Sequence, residues 1–96
     1  MAHIILELKP SEKALEKEIL SDDVISRQSI TIRDGKVLGL AEDKEYILIE
    51  GSEEAIERVK GIAPNNILSG KWAAEAYEKL KSEEEDAASG MGFIFQ

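Results

Sequence analysis

The chain has 96 residues, 43% of them hydrophobic and 33% charged, with no cysteine and a formal charge of −8. That length supports one domain, residues 1–96, rather than two, and the hydrophobic share is too high for a disordered segment. Without cysteine there are no disulfides, thiolate zinc sites, iron–sulfur clusters or cysteine nucleophiles.

Twenty acidic residues against twelve basic ones argue against nucleic-acid binding, because that affinity comes from lysine and arginine displacing counterions at phosphates. The charge deficit runs through both halves, and no segment clusters lysines or arginines. The first residues carry no basic leader, and their apolar run stops at Glu7. That is too short for a signal peptide or a membrane span, so a cytoplasmic protein with no membrane contact is expected. Glutamate (15) and lysine (9) make up a quarter of the residues, a composition resembling that of thermophile proteins.

In chain order, residues 3–8 read as a strand that is apolar on both faces. Pro10-Ser11 is a helix-start signal with Ser11 as the expected cap, and the helix then runs to about Leu20, with Leu15 and Ile19 on its buried stripe. Ser21-Asp22-Asp23 ends it. Residues 28–33 alternate as a half-buried strand does. Asp34-Gly35 suits a two-residue type I′ turn, which predicts a hairpin placing Val37 opposite Ile32 and Gly39 opposite Ile30. Tyr46-Ile47-Leu48-Ile49 is the best candidate for the central strand. Gly51 then permits a sharp exit, Ser52 caps, and Glu53 and Glu54 complement the dipole of the next helix. Ala55, Ile56, Val59 and Ile62 mark its inner face, and Pro64 ends it. A connector over 65–70 leads to a third helix from Lys71 to about Asp86, with Trp72, Ala73, Ala76, Tyr77 and Leu80 inward. Residues 87–92 are expected to break it, and Phe93-Ile94-Phe95-Gln96 to form a last strand. The expected order is β-α-β-β-β-α-α-β: an α+β fold with a small mixed or largely antiparallel sheet and helices packed on one face. Burial of the terminal strand in its own sheet favours a monomer; a dimer formed through that strand is the alternative.

No catalytic or nucleotide-binding motif is present. Gly70-Lys71 lacks the earlier glycine of a phosphate loop, and Gly90-Met91-Gly92 has no helix start behind it. No aspartate has the spacing of an EF-hand. The strand–Gly–Ser–Glu–Glu–helix unit at 46–62 superficially resembles the last part of a KH-type RNA-binding domain, but the G-x-x-G clamp of that family is absent and the charge opposes it. His3, the single histidine, cannot form a two-histidine metal site.

The acidic run Glu83, Glu84, Glu85 and Asp86 stands out, with no basic residue after Lys81. Carboxylates at a helix C-terminus oppose its dipole, so a compensating partner is expected there, either Ca²⁺ or Mg²⁺ or a basic protein surface. Further oxygens for a metal would come from Ser89, carbonyls near Gly90, or Asp22-Asp23. A solvated acidic helix end explains the same run without a ligand, and Ser82-x-x-Glu85 also fits a capping box. The functional expectation is a small acidic binding module using these four residues. The alternative is a small enzyme or enzyme subunit whose carboxylates converge in a pocket.

Overall fold

Ile4, Leu6 and Leu8 alternate with Ile5 along the first strand, and Ile47 and Ile49 alternate with Tyr46 and Leu48 along the last. Each strand therefore presents apolar side chains on both sides and is costly to leave in water on either. A computed structural model of the chain describes the backbone of residues 2–94 and the side chains of residues 2–82. In it β1 (Ala2–Leu8), β2 (Ser29–Asp34) and β3 (Glu45–Gly51) form an antiparallel sheet in the order β1-β3-β2. The strand expected to be central is central. Ile4 and Ile30 both face Ile49, and Leu6 and Ile32 both face Ile47.

Four helices cover this sheet: α1 (Lys13–Ser21), α2 (Gly35–Leu38), α3 (Glu53–Ile62) and α4 (Gly70–Ile94). The α+β class holds, but the helices occupy both faces rather than one. Ile19 of α1 and Ile56 and Val59 of α3 pack on Ile4, Leu6, Ile47 and Ile49. On the opposite face Leu38 of α2 and Ala76 and Leu80 of α4 pack on Ile5, Tyr46 and Leu48. The two-sided apolar pattern of β1 and β3 requires this second layer, since each large side chain left exposed would forfeit about 1.5–3 kcal/mol.

The expected tight hairpin at Asp34-Gly35 is replaced by a wider connection, so there is no strand over 36–39. The Gly35 N–H donates to the Lys44 carbonyl (2.7 Å) and the Leu40 N–H to the Gly35 carbonyl (2.8 Å). Between them the chain makes one helical turn, closed by Gly39 at φ 73°. This sends Leu38 into the second core, which an in-plane strand would not do. Gly35 is needed for close approach, since a Cβ there would lie 1.8 Å from the Ala41 carbonyl oxygen.

The ends of the helices are set by side chains. The Ser52 hydroxyl accepts from the Ala55 N–H (3.2 Å) and starts α3 as expected. Ser11 does not cap α1; a 3₁₀ turn over Pro10–Glu12 leads in, with the Glu12 carboxylate accepting from the Lys9 N–H (2.8 Å). Asp22 ends α1 and accepts from the N–H groups of Val24 and Ile25 and from both Nε and Nη2 of Arg58 on α3. The Arg58 guanidinium and those two N–H groups hold the Asp22 carboxyl well below the usual carboxylate range. The α4 backbone is helical through Ile94, so the expected break over 87–92 and the strand beginning at Phe93 are both absent. Phe95 and Gln96 lie outside the described residues.

The outer edge of β1 is covered by the connector after α3. Leu6 bridges to Ile67, the Glu7 N–H donates to the Asn66 carbonyl (2.9 Å), and the Leu68 N–H donates to the Ile5 carbonyl (3.0 Å). On β2, at the opposite edge, the Arg33 guanidinium turns back to donate to the Ile32 carbonyl (2.7 Å).

Candidate functional site

The strand register places Glu7 directly across from Tyr46, on the sheet face that α4 covers. The Tyr46 hydroxyl donates to Glu7 Oε2 at 2.6 Å, and Lys44 Nζ lies 3.3 Å from Glu7 Oε1. Tyr46 is buried, and burial together with the Glu7 carboxylate pushes its hydroxyl pKa up to about 12. It therefore remains a proton-bearing donor across the physiological range. Asn66 fixes the strand from outside through its Nδ2, which donates to the Glu7 carbonyl (3.0 Å).

Beside this polar pair is a pocket of about 320 Å³, walled by Leu40, Leu68 and Ala76, with Trp72 and Glu75 from the first turns of α4. Trp72 was expected to face inward, but it is 67% exposed. It stands one turn before Ala76 and two before Leu80, so its helical phase is that of the buried stripe. Beneath it, however, the pocket takes the place of packed side chains. Ala76 and Leu80, expected inward on the same face, are fully buried. Tyr77 is half-buried and stacks on His3 with ring centroids 4.5 Å apart. The Tyr77 hydroxyl and Lys81 Nζ both reach Glu50, at 3.3 and 2.7 Å.

A second carboxylate arrangement joins α1 to β3. Glu16 and Glu45 share one ammonium, Lys13 Nζ, 3.6 Å from an oxygen of each. Their side chains are 15% and 19% exposed. Contact with Glu16, then burial, pushes the Glu45 carboxyl up to about 7 against the opposing pull of Lys13. The notch around this pair measures only about 110 Å³.

The side chains of Glu83, Glu84, Glu85 and Asp86 lie outside the described residues, as does that of Ser89, and the carbonyls expected to help near Gly90 belong to the helical backbone of α4. The helix backbone carries this run well inside α4, so the dipole argument for a compensating cation at a helix end does not apply, and neither does a capping-box restart at Ser82. Asp22 is committed to Arg58, and Asp23 lies 3.5 Å from Arg27. Among the described residues no group of three or more histidine, aspartate or glutamate side chains is placed to hold a metal. No helix among them is long and apolar enough to cross a membrane.

Sequence reasoning missed Glu7, Leu40 and Tyr46 as site residues. The available signal was a glutamate set between Leu6 and Leu8 in a largely apolar strand, which needs a polar partner across the sheet. No protein-family model, curated protein or solved structure matches the chain.

Proposed function

We propose that this chain is a binding module whose ligand seat is the apolar pocket beneath Trp72. The observation that carries the reading is an exposed tryptophan at the mouth of an apolar pocket with a fixed polar pair, Tyr46 and Glu7, at its wall. Ligand sites combine mostly apolar walls with a few placed polar groups, and the volume sits at the lower end of their usual range of about 300–1,000 Å³. The charge of −8 favours basic partners in general, and the run Glu83–Asp86 on the same helix would extend such a contact, or hold Ca²⁺ or Mg²⁺, away from the pocket.

The enzyme reading rests on the Glu16–Glu45 pair, where contact with Glu16 and burial push the Glu45 carboxyl up to about 7, the kind of environment that tunes an acid–base group. The notch that holds them is about a third of the volume of the Trp72 pocket and leaves little room for a substrate. Within the larger pocket, Glu7 is occupied by two donors and serves as a fixed acceptor rather than a proton shuttle.

Backbone amide shifts during titration with 2-phenylethanol, a neutral aromatic probe, test the binding reading. The shifts should concentrate at Leu40, Tyr46, Leu68, Trp72 and Ala76, and Trp72→Ala should weaken them. Shifts scattered over the surface would remove the pocket as the ligand seat, and so would silence at millimolar concentration from this probe together with its ammonium and carboxylate analogues.

A further inference from the structure

The lining of the Trp72 pocket carries charge of one sign. Glu7 and Glu75 contribute to it, and no lysine, arginine or histidine does. Glu75 is exposed and has no ion pair among the described residues, even though Lys79 follows one turn later on the same helix. Glu7 already holds one ammonium, that of Lys44, from outside the pocket. Trp72 adds an aromatic face, whose quadrupole attracts a cation held over it. Leu40, Leu68 and Ala76 offer only apolar surface.

These features select among ligands. A neutral apolar molecule would cover the walls but draw water from Glu75 without replacing its contacts. An anion would meet the Glu75 carboxylate, which holds no cation among the described residues. A molecule with an apolar body and a cationic amine satisfies the walls, the ring and the free carboxylate together.

Taking the pocket beneath Trp72 as the ligand seat, we propose that its ligand is an organic ammonium, with the apolar body against Leu40, Leu68 and Ala76 and the cationic head between Glu75 and the Trp72 ring. The same head group is presented by a free small amine and by a lysine side chain of a partner protein. The open pocket, of about 320 Å³, accommodates either.

Trp72 is the single tryptophan of the chain, so its fluorescence reports the site directly. Titrations with 2-phenylethylammonium, 2-phenylethanol and 3-phenylpropionate hold the apolar body nearly constant while the charge changes. The ammonium should bind about tenfold more tightly than the alcohol, and the carboxylate more weakly than both, with the preference shrinking as salt is added. Glu75→Gln, at an exposed position where no ion pair is lost, should weaken the ammonium several-fold and leave the alcohol unchanged. A tripeptide with a central lysine distinguishes the source. Tighter binding of the peptide assigns the ammonium to a partner protein, tighter binding of the amine to a small molecule, and both uphold the cation. Equal binding of all three phenyl compounds, or an ammonium preference untouched by Glu75→Gln, would overturn the ammonium assignment while leaving the pocket in place. Silence from all three would overturn both.

Discussion

Glu45→Gln should make the protein more stable at pH 8 while changing little at pH 5. In the folded chain the Glu45 carboxyl is raised from 4.5 to about 7, so between those values the unfolded chain has released a proton that the folded chain still holds. Stability from this group is therefore full below the lower value and declines as pH rises through the upper one. The interval corresponds to a ceiling of about 3 kcal/mol. Solvent at the rim and the nearby Lys13 ammonium screen the pair, so a realistic loss between pH 5 and pH 8 is about 1 kcal/mol. Glutamine reproduces the protonated form, because its amide can donate to Glu16 at any pH. At pH 8 the variant should gain that ~1 kcal/mol, equivalent to about 4–8 °C in Tm for a domain of this size. Urea and thermal unfolding followed by far-UV circular dichroism are the suitable assays, since the exposed Trp72 is a poor reporter of global unfolding. Glu42→Gln, which removes the same charge from an exposed neighbour on the same rim, is the control and should keep the wild-type pH slope. A Glu45→Gln protein that loses stability from pH 5 to pH 8 in parallel with wild type would refute the assignment of that pH dependence to the raised Glu45 carboxyl.

The opposite window belongs to Asp22. Its carboxyl is held below its unfolded value, so its contribution is present at neutral pH and lost in acid; Asp22→Asn should lower Tm at pH 7, with the gap to wild type closing in acid unfolding scans. Ser52→Ala removes the hydroxyl that caps α3 and should cost about 1 kcal/mol in urea unfolding. Gly35→Ala forces a Cβ against the Ala41 carbonyl and should destabilise by about 1–3 kcal/mol or more, seen as a lower urea midpoint; an unchanged midpoint would mean that the 35–44 connection is looser than it looks.

The legibility of this chain differs from element to element. Tyr46 to Ile49 could be read as the central strand because a short run of large apolar residues between turn signals suits a strand buried on both sides, and the same pattern on β1 left neither face of the sheet fit for water, which the expectation of helices on one face overlooked. Ser52 followed by two glutamates is local chemistry, and it fixed the start of α3 correctly. Asp34-Gly35 misleads because a glycine can be required for backbone freedom or for space. Gly35 answers to space, and the left-handed residue is Gly39, four positions later. Trp72 has the spacing of the buried stripe, but what a helical face meets is decided by elements far away in the chain. The Glu7–Tyr46 contact joins residues 39 positions apart through a strand register that periodicity alone does not supply. Glu16 and Glu45 meet for the same kind of long-range reason.

The two edges of the sheet have unequal exposure to crowded solution. Along β1 the outward Glu7 N–H and C=O and the Ile5 C=O are taken up by Asn66 and Leu68. Along β2 the Gly35–Lys44 hydrogen bond sets the alternation, which turns the backbone groups of Ile30 and Ile32 outward. This is the side on which a strand from another molecule could zip on and begin an aggregate. Arg33 occupies the Ile32 carbonyl with its own guanidinium, so an incoming strand must first displace a charged donor and then accommodate it alongside. One arginine thus stands guard against edge-to-edge growth on β2, where among the described residues no backbone group outside the sheet pairs with Ile30 or Ile32.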